Sequence, residues 1–464
     1  MLLTSIIIYL IFTLLVGAFA SRLVKGSNDF VLAGRSLPLF LSASALFATW
    51  FGSETIFGAS SIYLEEGLQG VIEDPFGGAL CLVLFGMFFL RPMYRMGVLT
   101  IGDVFKRIYG KQIEFIATVF LVPVYFGYVA AQLVAMSLVF GAVTDLTLLE
   151  GILLSSGIVV FYTFLGGMWA ISITDFIQTL MIVIGLLAVT VVVSRDAGGV
   201  GYILEQAPEG SFQFFPDAGF TSWVNYFGAW IILGLGSIPS QDIYQRVMSA
   251  KSEDVAVRST YLAGGFYLTF GLLPLFIALA AQVMYPELYL ENKQMLLPAM
   301  VLAHSSMPIQ IIFFGALISA IMSTASSGLL APSALISENL IRPLFKGNLS
   351  DSHLLWILRG NVILVAMVAV YMASQDSNIY ELVAGASILL LVSLFAPLTA
   401  GLYWKKASPF GAVSSMVIGM AVYLIADTME LEIGAHIFGL LASIFAMIIG
   451  SLAFPRKNLS YELS

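Results

Sequence analysis

The chain has 464 residues, of which 59% are apolar and only 10% charged, and its mean hydropathy is +0.96. A water-soluble fold of this composition would leave far too much hydrocarbon exposed, so the sequence is that of a polytopic membrane protein. The net charge of −8 comes with no basic stretch for nucleic acid, and a single cysteine with three scattered histidines excludes an internal disulfide and argues against a thiolate or imidazole metal cluster.

Apolar runs of about 18 residues or more are read as spans. Thirteen follow in chain order, near 2–21, 38–62, 75–94, 113–143, 148–165, 168–194, 222–245, 259–284, 307–339, 353–374, 380–403, 410–427 and 433–454. The first is a retained anchor rather than a cleaved signal, because nothing basic precedes it while Arg22 and Lys25 follow. The second holds Thr49, Gly52, Ser53, Glu54 and Thr55 at mid-depth. After the third, Thr100 and Asp103 are spaced as a capping box opening a short helix with Lys106 and Arg107, either in the headgroup region or solvated. The seventh span contains Gly234, Gly236, Ser237, Pro239, Ser240 and Gln241. The ninth carries the run Ser323, Thr324, Ser326 and Ser327. Such hydroxyls either let helices approach closely or replace water around a hard monovalent cation.

An odd count of spans puts the termini on opposite sides. The cations of loops 22–35, 91–111, 246–258 and 342–359, with Lys405, Lys406, Arg456 and Lys457, then share one side, and only Arg195 and Lys293 fall on the other. That asymmetry places the N-terminus outside and the C-terminus in the cytoplasm, at a plasma membrane and most simply a bacterial inner membrane. No loop is long enough for a soluble domain, so function lies within the bilayer, and no obligate protein partner is evident. Spans two to six and seven to eleven form two sets of five in opposite orientation, an inverted repeat. The expected divisions are 1–36 (anchor and loop), 37–195 (first repeat), 196–221 (external loop), 222–404 (second repeat) and 405–464 (two helices and a cytoplasmic tail). The opening helix of each repeat carries helix breakers, so Gly52, Gly234, Gly236 and Pro239 are candidate break and gating positions. A plain proline kink is the alternative.

Three stretches then carry a resemblance: Gly34-Arg35-Ser36-Leu37; Leu165-Gly166-Gly167-Met168-Trp169-Ala170 with Thr174, Asp175 and Gln178; and the hydroxyl run of the ninth span. The chain resembles the sodium:solute symporter family from about residue 25 to about 450. That resemblance implies an all-α, LeuT-type 5+5 inverted repeat, with one extra N-terminal and two extra C-terminal helices. It is most similar to the high-affinity choline transporter branch through Ala48-Thr49-Trp50, Pro75-Phe76-Gly77, the run from Gly86 to Pro92, Ile108-Tyr109-Gly110-Lys111, and Ile238-Pro239 with Gln245-Arg246-Val247.

The resemblance implies sodium-coupled symport of a small organic solute by alternating access, choline or a related quaternary ammonium, with proline or another small zwitterion as the alternative. It implies a main sodium site from the carbonyls of Ala48, Phe51 and Ala320 and the hydroxyls of Ser323 and Thr324. A second ion would use Asp175, Ser323, Ser326 and Ser327, unless Asp175 is paired with a basic residue. Trp50 would face the ammonium, with Tyr125, Tyr128, Trp230 and Tyr244 as further rings, since a trimethylammonium is recognised by aromatic faces. Ser240 stands where choline transporters carry a cage tryptophan, so Glu54, Thr55, Ser237, Ser240 and Gln241 are candidate polar contacts. Glu54 meets a cation, a proton pathway or a partner helix. A pump or an enzyme is excluded for want of a nucleotide loop or a catalytic cluster. A non-transporting sensor on the same fold is the reading from another class, although the ten residues after Phe454 leave little room for a signalling domain.

Overall fold

The computed structural model describes residues 1–291, 293–345, 349–375 and 379–455. Lys346, Arg456 and Lys457, and with them the tail 456–464, lie outside the described residues. Among the described residues the chain is all helical, with one isolated bridge, Leu37 to Ala250, and no strand. Apolar backbone in lipid must satisfy its hydrogen bonds internally, which leaves the helix as the local structure open to these runs.

In chain order the elements used below are α1 (Leu2–Ala20), α2 (Leu39–Trp50), α3 (Ala59–Gly70), α4 (Ile72–Met96), α5 (Ile101–Tyr109), α6 (Lys111–Val143) and α7 (Leu148–Asp196). They continue with α8 (Phe220–Gly236), α9 (Gln241–Ser249), α10 (Glu253–Met284), α11 (Met307–Phe345), α12 (Asp351–Ala373), α13 (Val383–Tyr403), α14 (Pro409–Asp427) and α15 (Ala435–Ala453). Ten helical segments among the described residues are long and apolar enough to cross a membrane. One of them, α7, has 49 residues and turns at Gly167, where φ is 47°. A Cβ at Gly167 would strike the Phe30 carbonyl, so both the turn and the close approach require glycine.

The chain leaves the helix at two places inside the apolar core. After α2 it passes through Phe51 (φ −89°, ψ 75°) and resumes as a π-turn, Glu54–Gly58, that runs into α3. After α8 it passes through Ser237 to Ser240 (φ −76°, ψ 144°), with Pro239 unable to donate a helical hydrogen bond, before α9 begins. Gly236 lies against α13, where an added Cβ would come 2.5 Å from the Ser387 carbonyl oxygen.

Helices α2, α6, α7, α10 and α11 pack around the buried centre, and α14 pairs with α15. Loops that alternate along the sequence meet at one end of the bundle. There Ser27 donates to Asp351, Lys251 N to the Leu37 carbonyl, and Arg91 and Arg95 pair with Glu253. Glu65 with Lys293, and Asn225 with the Glu432 carbonyl, mark the opposite end. The capping box of α5 is formed, with Asp103 N donating to Thr100 Oγ1 at 3.1 Å and Thr100 N to Asp103 Oδ2 at 3.2 Å. The helix is not a solvated one: Ile101, Val104 and Phe105 are buried, because residues at this spacing form one apolar face, and that face packs on α6. Asn339 of α11 locks it there, accepting from Thr100 Oγ1 at 2.7 Å and donating to Asp103 at 3.2 Å and Glu114 at 2.9 Å.

Candidate functional site

A helix that stops inside a membrane exposes carbonyls at one end and amides at the next, and each needs a partner. At the first break three side chains supply them. Thr324 Oγ1 of α11 donates to the Ala48 carbonyl at 3.3 Å, Tyr128 Oη of α6 donates to the Thr49 carbonyl at 3.1 Å, and Ser53 N donates to Gln132 Oε1 at 3.1 Å. Gln132 Nε2 in turn donates to Glu54 Oε2 at 2.8 Å. At the second break Tyr125 Oη accepts from Gln241 N at 2.7 Å and Asp242 N at 3.1 Å, and donates to Asp242 Oδ1 at 2.8 Å. The two breaks are therefore tied to α6, which lies between them.

Ala48, Phe51, Ala320, Ser323 and Thr324 are all fully buried. Ala320, Ser323 and Thr324 fall within one turn of α11, opposite the carbonyl end of α2. Ser323 Oγ donates to Asp175 Oδ1 of α7 at 2.6 Å, and Ser326 Oγ and Ser327 Oγ donate to the Ser323 carbonyl at 2.9 and 2.8 Å. The four residues of the second predicted ion site are thus contiguous. Asp175 Oδ2 is buried with no hydrogen-bond partner among the described residues. Oxygen ligands and one unmatched carboxylate oxygen suit a small hard cation. Among the described residues Asp175 Oδ1 is bonded only to Ser323, and Arg246, which the sequence places at the start of the loop 246–258, is instead fully buried in α9. Its guanidinium donates to Ser327 Oγ and, at 3.3 Å, to the Asp242 carbonyl.

Beside the hydroxyl cluster lies a cavity walled by Trp50, Glu54, Tyr125, Tyr128, Ser237, Ser240, Asp242, Tyr267 and Ser387, with Val124, Leu233, Val383, Ala386 and Leu390 completing it. The cavity and the hydroxyl cluster meet at Gly52: the point where a Cβ would stand is 2.6 Å from Glu54 Oε2 and 2.7 Å from Thr324 Oγ1. Any side chain there would separate them. Trp50 Nε1 donates to Asp242 Oδ2 at 3.2 Å, and the Trp50 ring meets Tyr267 edge to face.

Six of the expected contact residues thus share the wall: Trp50, Glu54, Tyr125, Tyr128, Ser237 and Ser240. Four candidates are engaged elsewhere. Thr55 sits behind Tyr267, 2.9 Å from its hydroxyl and from Asp74 Oδ2, while Gln241 Oε1 accepts from Ile101 N at 2.8 Å. Tyr244 Oη donates to the Val98 carbonyl at 3.0 Å. Trp230 stands in a separate aromatic cluster with Phe76 and Phe214. Asp242 and Tyr267 join the wall without having been singled out from the sequence. A carboxylate in an apolar span was the available signal for the first; Tyr267 lies in an unbroken apolar run that gives none.

The sequence model of the sodium:solute symporter family matches residues 30–419. The chain is 30% identical over 441 residues to a high-affinity choline transporter of Drosophila melanogaster, covering 90% of this chain and 70% of that one. It is 26% identical over 490 residues to the osmoregulated proline transporter of Bacillus subtilis, covering 99% of this chain and 96% of the relative. Among solved structures it is similar to a Na+-coupled sialic acid symporter in a substrate-bound, outward-open state, with a TM-score of 0.84, 20% identity, and coverage of 99% and 98% of the two chains.

Proposed function

The chain belongs to the sodium:solute symporter family, and from that premise we propose that it carries a small organic cation across the membrane together with sodium, by alternating access. Sodium is the coupling ion, and the relatives are transporters rather than enzymes. The observation that carries the choice of solute is the cavity wall. Four rings, those of Trp50, Tyr125, Tyr128 and Tyr267, converge with two carboxylates, Glu54 and Asp242, while no lysine or arginine among the described residues lines it. Each ring face contributes about 0.5–2 kcal/mol to a cation held over it. A zwitterion such as proline would bring a carboxylate that this wall does not match, so the organic cation is preferred, as the choline-transporting relatives suggest.

In this reading sodium is held by the Ala48, Phe51 and Ala320 carbonyls with Ser323 and Thr324, closing α2 against α11. A second ion would sit at Asp175, Ser323, Ser326 and Ser327. Gly52, Gly234, Gly236 and Pro239 let the broken helices rock. One charge crossing about 100 mV yields about 2.3 kcal/mol, and a tenfold gradient adds roughly 1.4, enough to drive accumulation of a neutral or cationic solute. We read the topology as thirteen spans: the ten long segments, with α7 counted twice across Gly167 and one added for each broken pair, α2 with α3 and α8 with α9. In this reading the end bearing Arg91, Lys106 and Arg342 faces the cytoplasm and the N-terminus lies outside, which the excess of basic residues in those loops supports. The repeats run 37–195 and 222–404, between the anchor 1–36, the loop 196–221 and the closing segment 405–464.

The test is uptake of tritiated choline into proteoliposomes under an inward sodium gradient, with potassium in place of sodium as control and unlabelled proline as competitor. Sodium-dependent accumulation that proline does not displace supports the reading. Absence of choline uptake, with sodium-dependent uptake of tritiated proline by the same vesicles, returns the solute to the zwitterions.

A further inference from the structure

The cavity wall carries more acid than a quaternary ammonium needs. Glu54 and Asp242 line it, Asp74 lies buried behind Tyr267 and Asp175 lies buried at Ser323, and Arg246 is the one buried lysine or arginine among the described residues. Arg246 donates to the Asp242 carbonyl and to Ser327 but to no carboxylate. One guanidinium cannot balance four carboxyl groups, and acids in excess of their cations are costly in a membrane and are held there where a cation comes and goes. A trimethylammonium has no N–H bond and would be served by rings alone.

Asp242 is the acid best placed to read the difference. It stands in the first turn of α9, where the helix dipole favours a carboxylate, and it reaches the cavity wall. Each of its oxygens takes one donor, Tyr125 Oη at 2.8 Å and Trp50 Nε1 at 3.2 Å, which fixes the carboxylate while leaving lone pairs on both. Both donors belong to the rings that would face a cation, so ring faces and acceptor are set in one rigid arrangement. A second observation is independent of the acids: Ser240 Oγ lines the same cavity, is 95% buried, and has no hydrogen-bond partner among the described residues. A buried hydroxyl left unpaired beside a solute cavity is what a hydrogen-bonding solute would satisfy.

We propose that the solute is a small protonated amine bearing N–H bonds, whose N–H groups donate to Asp242 and Ser240 while Trp50 and Tyr125 cover its carbon face, and that Asp242 ranks such an amine above a quaternary ammonium. This rests on the reading of the cavity as the site of an organic cation. The test is binding to the purified full chain in sodium, read as thermal stabilisation, with choline, N,N-dimethylethanolamine, N-methylethanolamine and ethanolamine as probes. The series keeps one carbon frame and exchanges methyl groups for N–H bonds.

A charge-assisted hydrogen bond makes the N–H amines bind about tenfold or more tighter than choline. Asp242→Asn compresses that preference to about twofold, because a neutral amide oxygen accepts more weakly. Choline binding as tightly as the amines overturns the inference and leaves the organic-cation reading standing. No stabilisation by any probe overturns both. An unchanged preference in Asp242→Asn removes Asp242 from the role, and if that variant does not fold, the wild-type ranking decides.

Discussion

Replacing Arg246 by methionine removes a buried cation that is linked to Asp242 through the Asp242 carbonyl and to Asp175 through Ser327 and Ser323. Its guanidinium is fully buried and holds both Ser327 Oγ and the Asp242 carbonyl, so it joins α9 to the hydroxyl run of α11. Methionine keeps most of the apolar stem, so the cavity left behind is small and the loss is electrostatic. Taking one partner from a buried charge cluster costs about 3–5 kcal/mol, because the remaining carboxylates are left uncompensated in low dielectric. The thermal midpoint of the purified chain without sodium should therefore fall sharply in Arg246→Met, and the double variant Arg246→Met with Asp175→Asn should recover a substantial part of the loss. Raising sodium should also restore part of it in the single variant, since the ion supplies the missing charge. A midpoint equal to that of the parent, or a double variant no more stable than the single one, would refute the reasoning.

Thr324→Ala removes both an expected sodium ligand and the donor to the Ala48 carbonyl. A buried acceptor left open costs about 1–3 kcal/mol, so the sodium concentration giving half-maximal uptake should rise by about fivefold or more at saturating solute. Gly236→Val places a Cβ 2.5 Å from the Ser387 carbonyl oxygen, backbone that yields only if α8 and α13 separate. Overpacking of this kind costs about 1–3 kcal/mol, measured as lost thermal stability, whereas Gly265→Ala on α10 meets open space and should be neutral. Asn339→Ala leaves Thr100, Asp103 and Glu114 without their shared partner and should expose α5 to proteolysis in the folded transporter.

The class of the protein and both chain breaks could be read directly, because apolar length and a glycine and proline run in mid-span are local properties of the sequence. Side-chain direction was less accessible. Gln241 and Asp242 are neighbours at the start of α9, yet successive helical residues point about 100° apart, so Gln241 turns to Ile101 and Asp242 to the cavity. Nothing in the local sequence separates them. Trp230 precedes Ser237 by seven residues, about 10 Å of helix, which places its ring with Phe76 and Phe214 rather than at the break. Tyr267 reaches the wall only through the packing of α10 on α2, a long-range contact that no spacing rule foretells. The hydroxyl run admitted two readings, close helix packing or an ion site, and its hydrogen bonds describe the packing. Ser326 and Ser327 bond within their own helix, while Ser323 and Thr324 reach across to α7 and α2.

Coupling itself is tested most directly by radiosodium influx into proteoliposomes containing the purified chain, measured with and without an external amine solute at fixed membrane potential. Cotransport predicts that the solute accelerates sodium entry, that sodium accelerates solute entry in return, and that Thr324→Ala weakens both together. Solute entry that proceeds at the same rate when potassium replaces sodium, with no solute-stimulated sodium flux, would contradict the account.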